Sequence, residues 1–175
     1  METKDRTLFL SALVVLGVAG RFLLTDLPNF APVGALALFA GASFANRRIA
    51  ITLPLVVMFL SDAVVGFHST IPFVYVGMLL YALLGMWAGN GIQPSRLIPA
   101  TILGSVSFFV ITNFGAFLSF YPKTWAGLVE CYTLALPFFR NTLSGDLIFG
   151  SVMFGCLGLA QLAWPRLRPA ANLSR

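Results

Sequence analysis

Asn113, Arg140, Asn141 and Asp146 crowd the last third of the chain, and Asp62 and His68 stand at the end of an earlier apolar run. Aromatic residues accompany them: Phe114 follows Asn113, Phe138 and Phe139 precede Arg140, and Tyr132 lies between. Amides read donor and acceptor pairs, carboxylates and guanidinium groups fix charge, and ring faces stack. Together these types can hold a small polar molecule. They do not make a reaction centre. Ser144-Gly145-Asp146 lacks the Gly-x-Ser-x-Gly of a nucleophile elbow. There is no Gly-rich phosphate loop ending in Lys, so nucleotide hydrolysis is not expected of this chain. His68 is the only histidine, and it has no Cys/His neighbours at metal-ligand spacing. Neither an enzyme, nor a bound metal, nor a cofactor is expected.

The elements that position these groups are apolar. Of the 175 residues 58% are hydrophobic and 10% are charged, where soluble domains carry about 25% charged residues. So few charges cannot cover a water-facing surface, and the lipid bilayer is the expected surrounding. The apolar runs are continuous rather than alternating, which excludes a β-barrel reading. The expectation is a single all-α membrane domain over residues 1–175, a bundle of six transmembrane helices. The spans fall at about 7–24, 30–45, 49–67, 73–88, 97–120 and 143–164, with a tail at 165–175. Gly89-Asn90-Gly91 and Pro165 are clear stop signals.

Between spans five and six, Trp125, Leu128, Val129, Tyr132 and Leu136 recur at helical spacing between Pro122 and Pro137. That pattern predicts a separate amphipathic or re-entrant segment lying on the membrane face. In span two, Ala37, Gly41 and Ala45 are four apart, with Gly34 just before. Small residues at this spacing admit a close helix, either inside the bundle or from a partner protein. Cys131 and Cys156 read as unpaired small hydrophobes at different depths.

Charge orients the bundle. The net charge is +5, but the basic residues sit singly or in pairs at span ends, which is no nucleic-acid footprint. Lys4, Arg6, Arg47, Arg48, Arg96, Arg166, Arg168 and Arg175 gather on one side, against Arg21, Lys123 and Arg140 on the other. The positive-inside rule then puts both termini in the cytoplasm. Arg21, Asp26, Asn29, Asp62, His68, Arg140, Asn141 and Asp146 fall at or near external span ends. The outer mouth is where a polar ligand could be held. Asp62 and Asp146 are costly inside a membrane helix and need partners; Arg21 and Arg140 are the available cations.

Several motifs carry a resemblance. Arg21-Phe22, the run from Pro28 to Phe39, Ser61-Asp62 with Gly66-Phe67-His68, Thr112-Asn113-Phe114-Gly115 and the run from Leu136 to Asp146 resemble an uncharacterised bacterial membrane family. That family is related to the substrate-binding S components of energy-coupling-factor transporters, and the resemblance spans roughly residues 20 to 155. It implies a receptor in the bacterial inner membrane that captures a vitamin-like or other small nutrient from outside. The nutrient would pass inward with or without a transmembrane scaffold protein and its ATPases. The ligand-facing residues would be Arg21, Asn29, Asp62, His68, Asn113, Phe114, Tyr132, Arg140, Asn141 and Asp146, roofed by residues 121–141. A structural or assembly subunit of a larger membrane complex is the competing expectation, with Gly34, Ala37, Gly41 and Ala45 as its docking face.

Overall fold

The computed structural model describes residues 4–23, 29–89 and 92–169. Asp26, Asn90, Gly91 and Arg175 lie outside them. Among the described residues the chain is all-helical, with six α-helices: α1 (Lys4–Leu23), α2 (Val33–Ser43), α3 (Arg47–Val65), α4 (Ile71–Ala88), α5 (Pro94–Phe120) and α6 (Trp125–Ala163). A 3-10 turn, Pro165–Leu167, follows. Three helices, α4, α5 and α6, are long and apolar enough to cross a membrane. Many large apolar side chains are exposed along the bundle, among them Leu16, Val64, Leu103, Val152 and Leu159. Water would not tolerate so much apolar surface, which points to a membrane protein. Trp87, Trp125 and Trp164 are exposed at helix ends, where an interfacial belt would place them.

Local chemistry sets the helix ends. The Asn46 side chain accepts from the Arg48 N–H at 3.0 Å and caps α3. Thr124 caps α6 in the same way, accepting from the Gly127 N–H at 3.2 Å. Gly66 (φ 112°) and Gly89 (φ 93°) end α3 and α4 in backbone conformations that favour glycine. Consecutive helices run antiparallel. Tyr75, early in α4, donates to Asp62, late in α3, at 3.0 Å. Tyr132, early in α6, donates to the Val110 carbonyl, late in α5, at 2.6 Å.

Two expectations need correction. The separate segment between spans five and six does not exist. The helical periodicity at 125–136 is real, but it is the first part of α6, which runs unbroken for 39 residues with Pro137 inside it. Proline removes one hydrogen bond and need not end a helix whose neighbours hold it. The second correction concerns α2. At 11 residues it is about 16 Å long, half the thickness of a hydrocarbon core. Every residue from Gly34 to Ser43 is buried. It touches all five other helices and forms the axis of the bundle. Its small residues are spent inside the chain. A Cβ on Gly41 would overlap the Ala82 carbonyl, and one on Gly85 would overlap the Leu38 carbonyl. Gly34, Ala37 and Gly41 are therefore covered within the fold, and Ala45 alone of the expected docking face is exposed.

A buried helix must satisfy its orphan terminal groups without water. Other helices supply the partners for α2. At its carboxyl end, Arg6 of α1 is 4% exposed and donates from Nη2 to the Ser43 carbonyl at 2.8 Å. Its Nη1 donates to the Leu167 carbonyl, which ties the start of α1 to the end of the described chain. A cation at a helix carboxyl terminus also complements the macrodipole. Replacing Arg6 with Gln should lower the unfolding free energy of detergent-solubilised protein by about 2–3 kcal/mol, because buried carbonyls lose a charged donor. Asp5→Asn at the exposed Asp5–Arg166 pair (3.3 Å) should change it by less than about 0.5 kcal/mol in the same unfolding measurement.

A polar cleft closed by a buried carboxylate

The amino end of α2 has no side-chain cap of its own, because Pro32 occupies the capping position. Asp146 of α6 takes over that role. Its Oδ1 accepts from the Ala35 N–H at 3.0 Å, and a carboxylate there faces the positive end of the helix. Its Oδ2 accepts from the Ser105 hydroxyl of α5 at 2.8 Å and from the Tyr81 hydroxyl of α4. Asp146 and Tyr81 are 1% exposed and Ser105 is fully buried. One carboxylate thus joins α2, α4, α5 and α6. The packing around it is tight: a Cβ on Gly34 would overlap both Asp146 and Tyr81, and one on Gly104 would overlap the Tyr81 ring.

This node is the floor of a cleft of about 430 Å³. The cleft lies between the start of α2, the end of α3, the start of α4, the second half of α5 and the middle of α6, at the other end of α2 from the Arg6–Ser43 contact. Its walls are Asn29, Phe30, Ala31, Val33, Gly34, Met58, Asp62, His68, Thr70, Val74, Tyr81, Phe108, Thr112, Asn113, Thr142 and Asp146. Asn29 is the one non-glycine described residue with positive φ (59°). Asn is among the residues that tolerate this conformation. Asp62 is buried and accepts from Tyr75. His68 Nδ1 lies 2.8 Å from the Thr70 hydroxyl.

A second cavity, about 680 Å³, lies between the first half of α5 and the last half of α6. Leucine, isoleucine, proline, phenylalanine and glycine line most of it, and Asp146 borders it as well as the cleft. Along α5 the order is Thr101 in the groove, Ser105 at the node and Phe108 in the cleft. Along α6 the cleft reaches Thr142 and Asp146, and the groove runs from Asp146 to Leu162. The two spaces are therefore stacked along the bundle and parted by the Tyr81–Asp146–Ser105 node.

Asn29, Asp62, His68, Asn113 and Asp146, all expected from the sequence, share this cleft. Phe114, Tyr132, Arg140 and Asn141 do not line it. Phe114 is 45% exposed and meets Phe73 edge to face, at 6.4 Å between ring centres. The Tyr132 hydroxyl is engaged by the α5 backbone, and Arg140 is exposed. Because residues 125–141 belong to α6, they form no separate roof. The Arg21 side chain lies outside what the structure describes. The sequence reading missed Tyr81 and Ser105, whose roles depend on an aspartate 65 and 41 residues away. It also missed Thr112 and Thr142 on the walls. Their hydroxyls were legible only as generic helix polar groups. The described residues contain no group of three or more His, Cys, Asp or Glu able to hold a metal.

No curated protein and no solved structure matches this chain. A family model described as a family of unknown function, DUF6580, matches residues 1–167. With nearly the whole chain inside that match, from α1 through the cleft to the final 3-10 turn, the protein belongs to the DUF6580 family.

Proposed function

We propose that the protein is a membrane-embedded binding and transport protein that takes up a small nutrient through the cleft above Asp146. The carrying observation is that mixed polar and aromatic cleft, lined from five helices and floored by a buried carboxylate. A volume of about 430 Å³ suits a small molecule. The apolar groove on the far side of the same carboxylate supports transport over capture alone, since a solute leaving the cleft would have space beyond the node. The burial of the small-residue face of α2 counts against the assembly-subunit alternative. In this reading α1 and α3–α6 span a bacterial cytoplasmic membrane around a buried α2. The exposed Lys4, Arg47, Arg48, Arg96, Arg166 and Arg168 lie at the cytoplasmic end with both termini, and the cleft faces outward. The likeness to S components of energy-coupling-factor transporters belongs to this reading, as does a scaffold with ATPases as an optional partner.

The test is a thermal-shift screen of purified protein against vitamins, amines, sugars and amino acids. At least one solute should stabilise the native chain, and Asn113→Ala should remove the shift without lowering the unliganded melting temperature by more than a few degrees. A panel that leaves the native protein unmoved contradicts the proposal.

A further inference from the structure

Asp146 sits where the cleft and the apolar groove meet, and its hydrogen bonds can be drawn in two complete ways. In the first the carboxylate is ionised. Its Oδ1 accepts from the Ala35 N–H at 3.0 Å, and its Oδ2 accepts from Ser105 at 2.8 Å and from Tyr81. In the second Oδ2 carries a proton. Each hydroxyl then has another acceptor already in reach: Tyr81 on the Ser105 Oγ at 3.3 Å, and Ser105 on the Thr101 carbonyl at 3.0 Å. The Ser105 Oγ keeps a lone pair for the Asp146 proton, since a hydroxyl accepts twice and donates once. The Ala35 N–H keeps Oδ1. No side chain has to move, and no buried donor is left over. Among the described residues none of the three partners of the carboxylate is a cation.

An acid within a membrane helix is costly, and such groups mark proton relays. Tyr81 is the titratable side chain in contact with Asp146, while α2 presents a backbone N–H and α5 a hydroxyl. Asp62 and His68 line the cleft above it, and Arg140, on α6 itself, is exposed. The cleft side is polar, with Thr112, Asn113 and Thr142 on its walls, whereas the groove side is mostly apolar. Water carrying a proton therefore reaches Asp146 from the cleft.

We propose that Asp146 is a proton-binding site that couples passage of the solute to proton entry. The inference rests on the uptake reading and names its driving ion. A hydronium in the cleft gives its proton to Oδ2 and leaves as water. The charge that strengthened all three bonds is then gone, and with it the attraction to the positive end of α2. The tie among α2, α4, α5 and α6 loosens, and the node no longer parts the cleft from the groove.

The experiment needs no knowledge of the solute. Thr101→Cys reports on the groove and Thr112→Cys on the cleft, each in a chain carrying Cys131→Ala and Cys156→Ala. Sealed right-side-out membrane vesicles are exposed to a charged, membrane-impermeant methanethiosulfonate, with rates normalised at each pH to a free thiol in solution. Thr112→Cys should react throughout. Thr101→Cys should react about tenfold faster or more in acid than in mildly alkaline medium, because three charge-assisted bonds weaken together. Asp146→Asn should abolish that dependence, and His68→Gln and Asp62→Asn should keep it. A Thr101→Cys rate that is flat with pH overturns the proton site and leaves the solute-site reading standing. So does a dependence that survives Asp146→Asn, or one that is lost in His68→Gln or Asp62→Asn. If Thr112→Cys does not react, the cleft is closed to outside water, and the underlying reading falls with the inference.

Discussion

Replacing Asp146 with alanine is expected to cost about 2–4 kcal/mol of stability, since it strands the buried Ala35 N–H and leaves two hydroxyls to other acceptors, Ser105 to the Thr101 carbonyl at 3.0 Å and Tyr81 to the Ser105 oxygen at 3.3 Å. The Tyr81 hydroxyl, the Ser105 hydroxyl and the Ala35 N–H all converge on this carboxylate, and water cannot replace it where exposure is 1%. Asparagine should recover part of the loss. Its carbonyl oxygen can still accept from Ala35, and hydroxyl groups can turn to accept from its amide. The predicted order of stability is therefore native, then Asp146→Asn, then Asp146→Ala, measured by equilibrium unfolding in detergent. If Asp146→Ala unfolds within about 0.5 kcal/mol of the native protein, a threshold appropriate to an exposed polar group, the carboxylate does not hold the bundle together.

The second large effect is expected at the α2–α4 crossing. Gly41→Ala adds one methyl group, yet its Cβ would overlap the Ala82 carbonyl. Side-chain overpacking typically costs about 1–3 kcal/mol because neighbours change rotamer. Here the obstacle is backbone, which has no rotamer to change, so the helices must separate. Gly85→Ala meets the Leu38 carbonyl from the opposite side and should behave alike. We expect a loss of about 3 kcal/mol or more for either. Gly155→Ala is the internal control. Nothing lies within 4 Å of its added Cβ, so it should be neutral or stabilising by up to about 1 kcal/mol through helix propensity. Equal costs at Gly41 and Gly155 would show that close approach is not what glycine provides in α2.

The parts of this fold that were legible are local. Gly89 and Pro165 mark helix ends because cap chemistry acts within a few residues. The periodicity at 125–136 was also legible as helix. Its continuity with the stretch beyond Pro137 was not, because whether proline interrupts a helix depends on neighbours that only the tertiary structure supplies. Asp146 was recognisable as an intramembrane acid that needed partners. Those partners are hydroxyls and a backbone amide rather than the expected arginines, since hydrogen bonds across helices depend on register, which charge counting does not report. Arg6 read only as a topology signal at the start of the chain, and its burial against the carboxyl end of α2 was not legible. Asn29, Asp62, His68 and Asn113 did converge, because each lies at the same end of its span and antiparallel packing brings those ends together.

Binding in the cleft is the claim on which the functional account rests, and melting of the detergent-solubilised protein across the solute panel measures it most directly. The account predicts that at least one small polar solute raises the melting temperature by several degrees. That shift should disappear in Asn113→Ala, whose wall acceptor is gone, and survive in Gly155→Ala, which lies outside the cleft. A panel in which no solute moves the native curve, or in which Asn113→Ala responds as the native chain does, would contradict it.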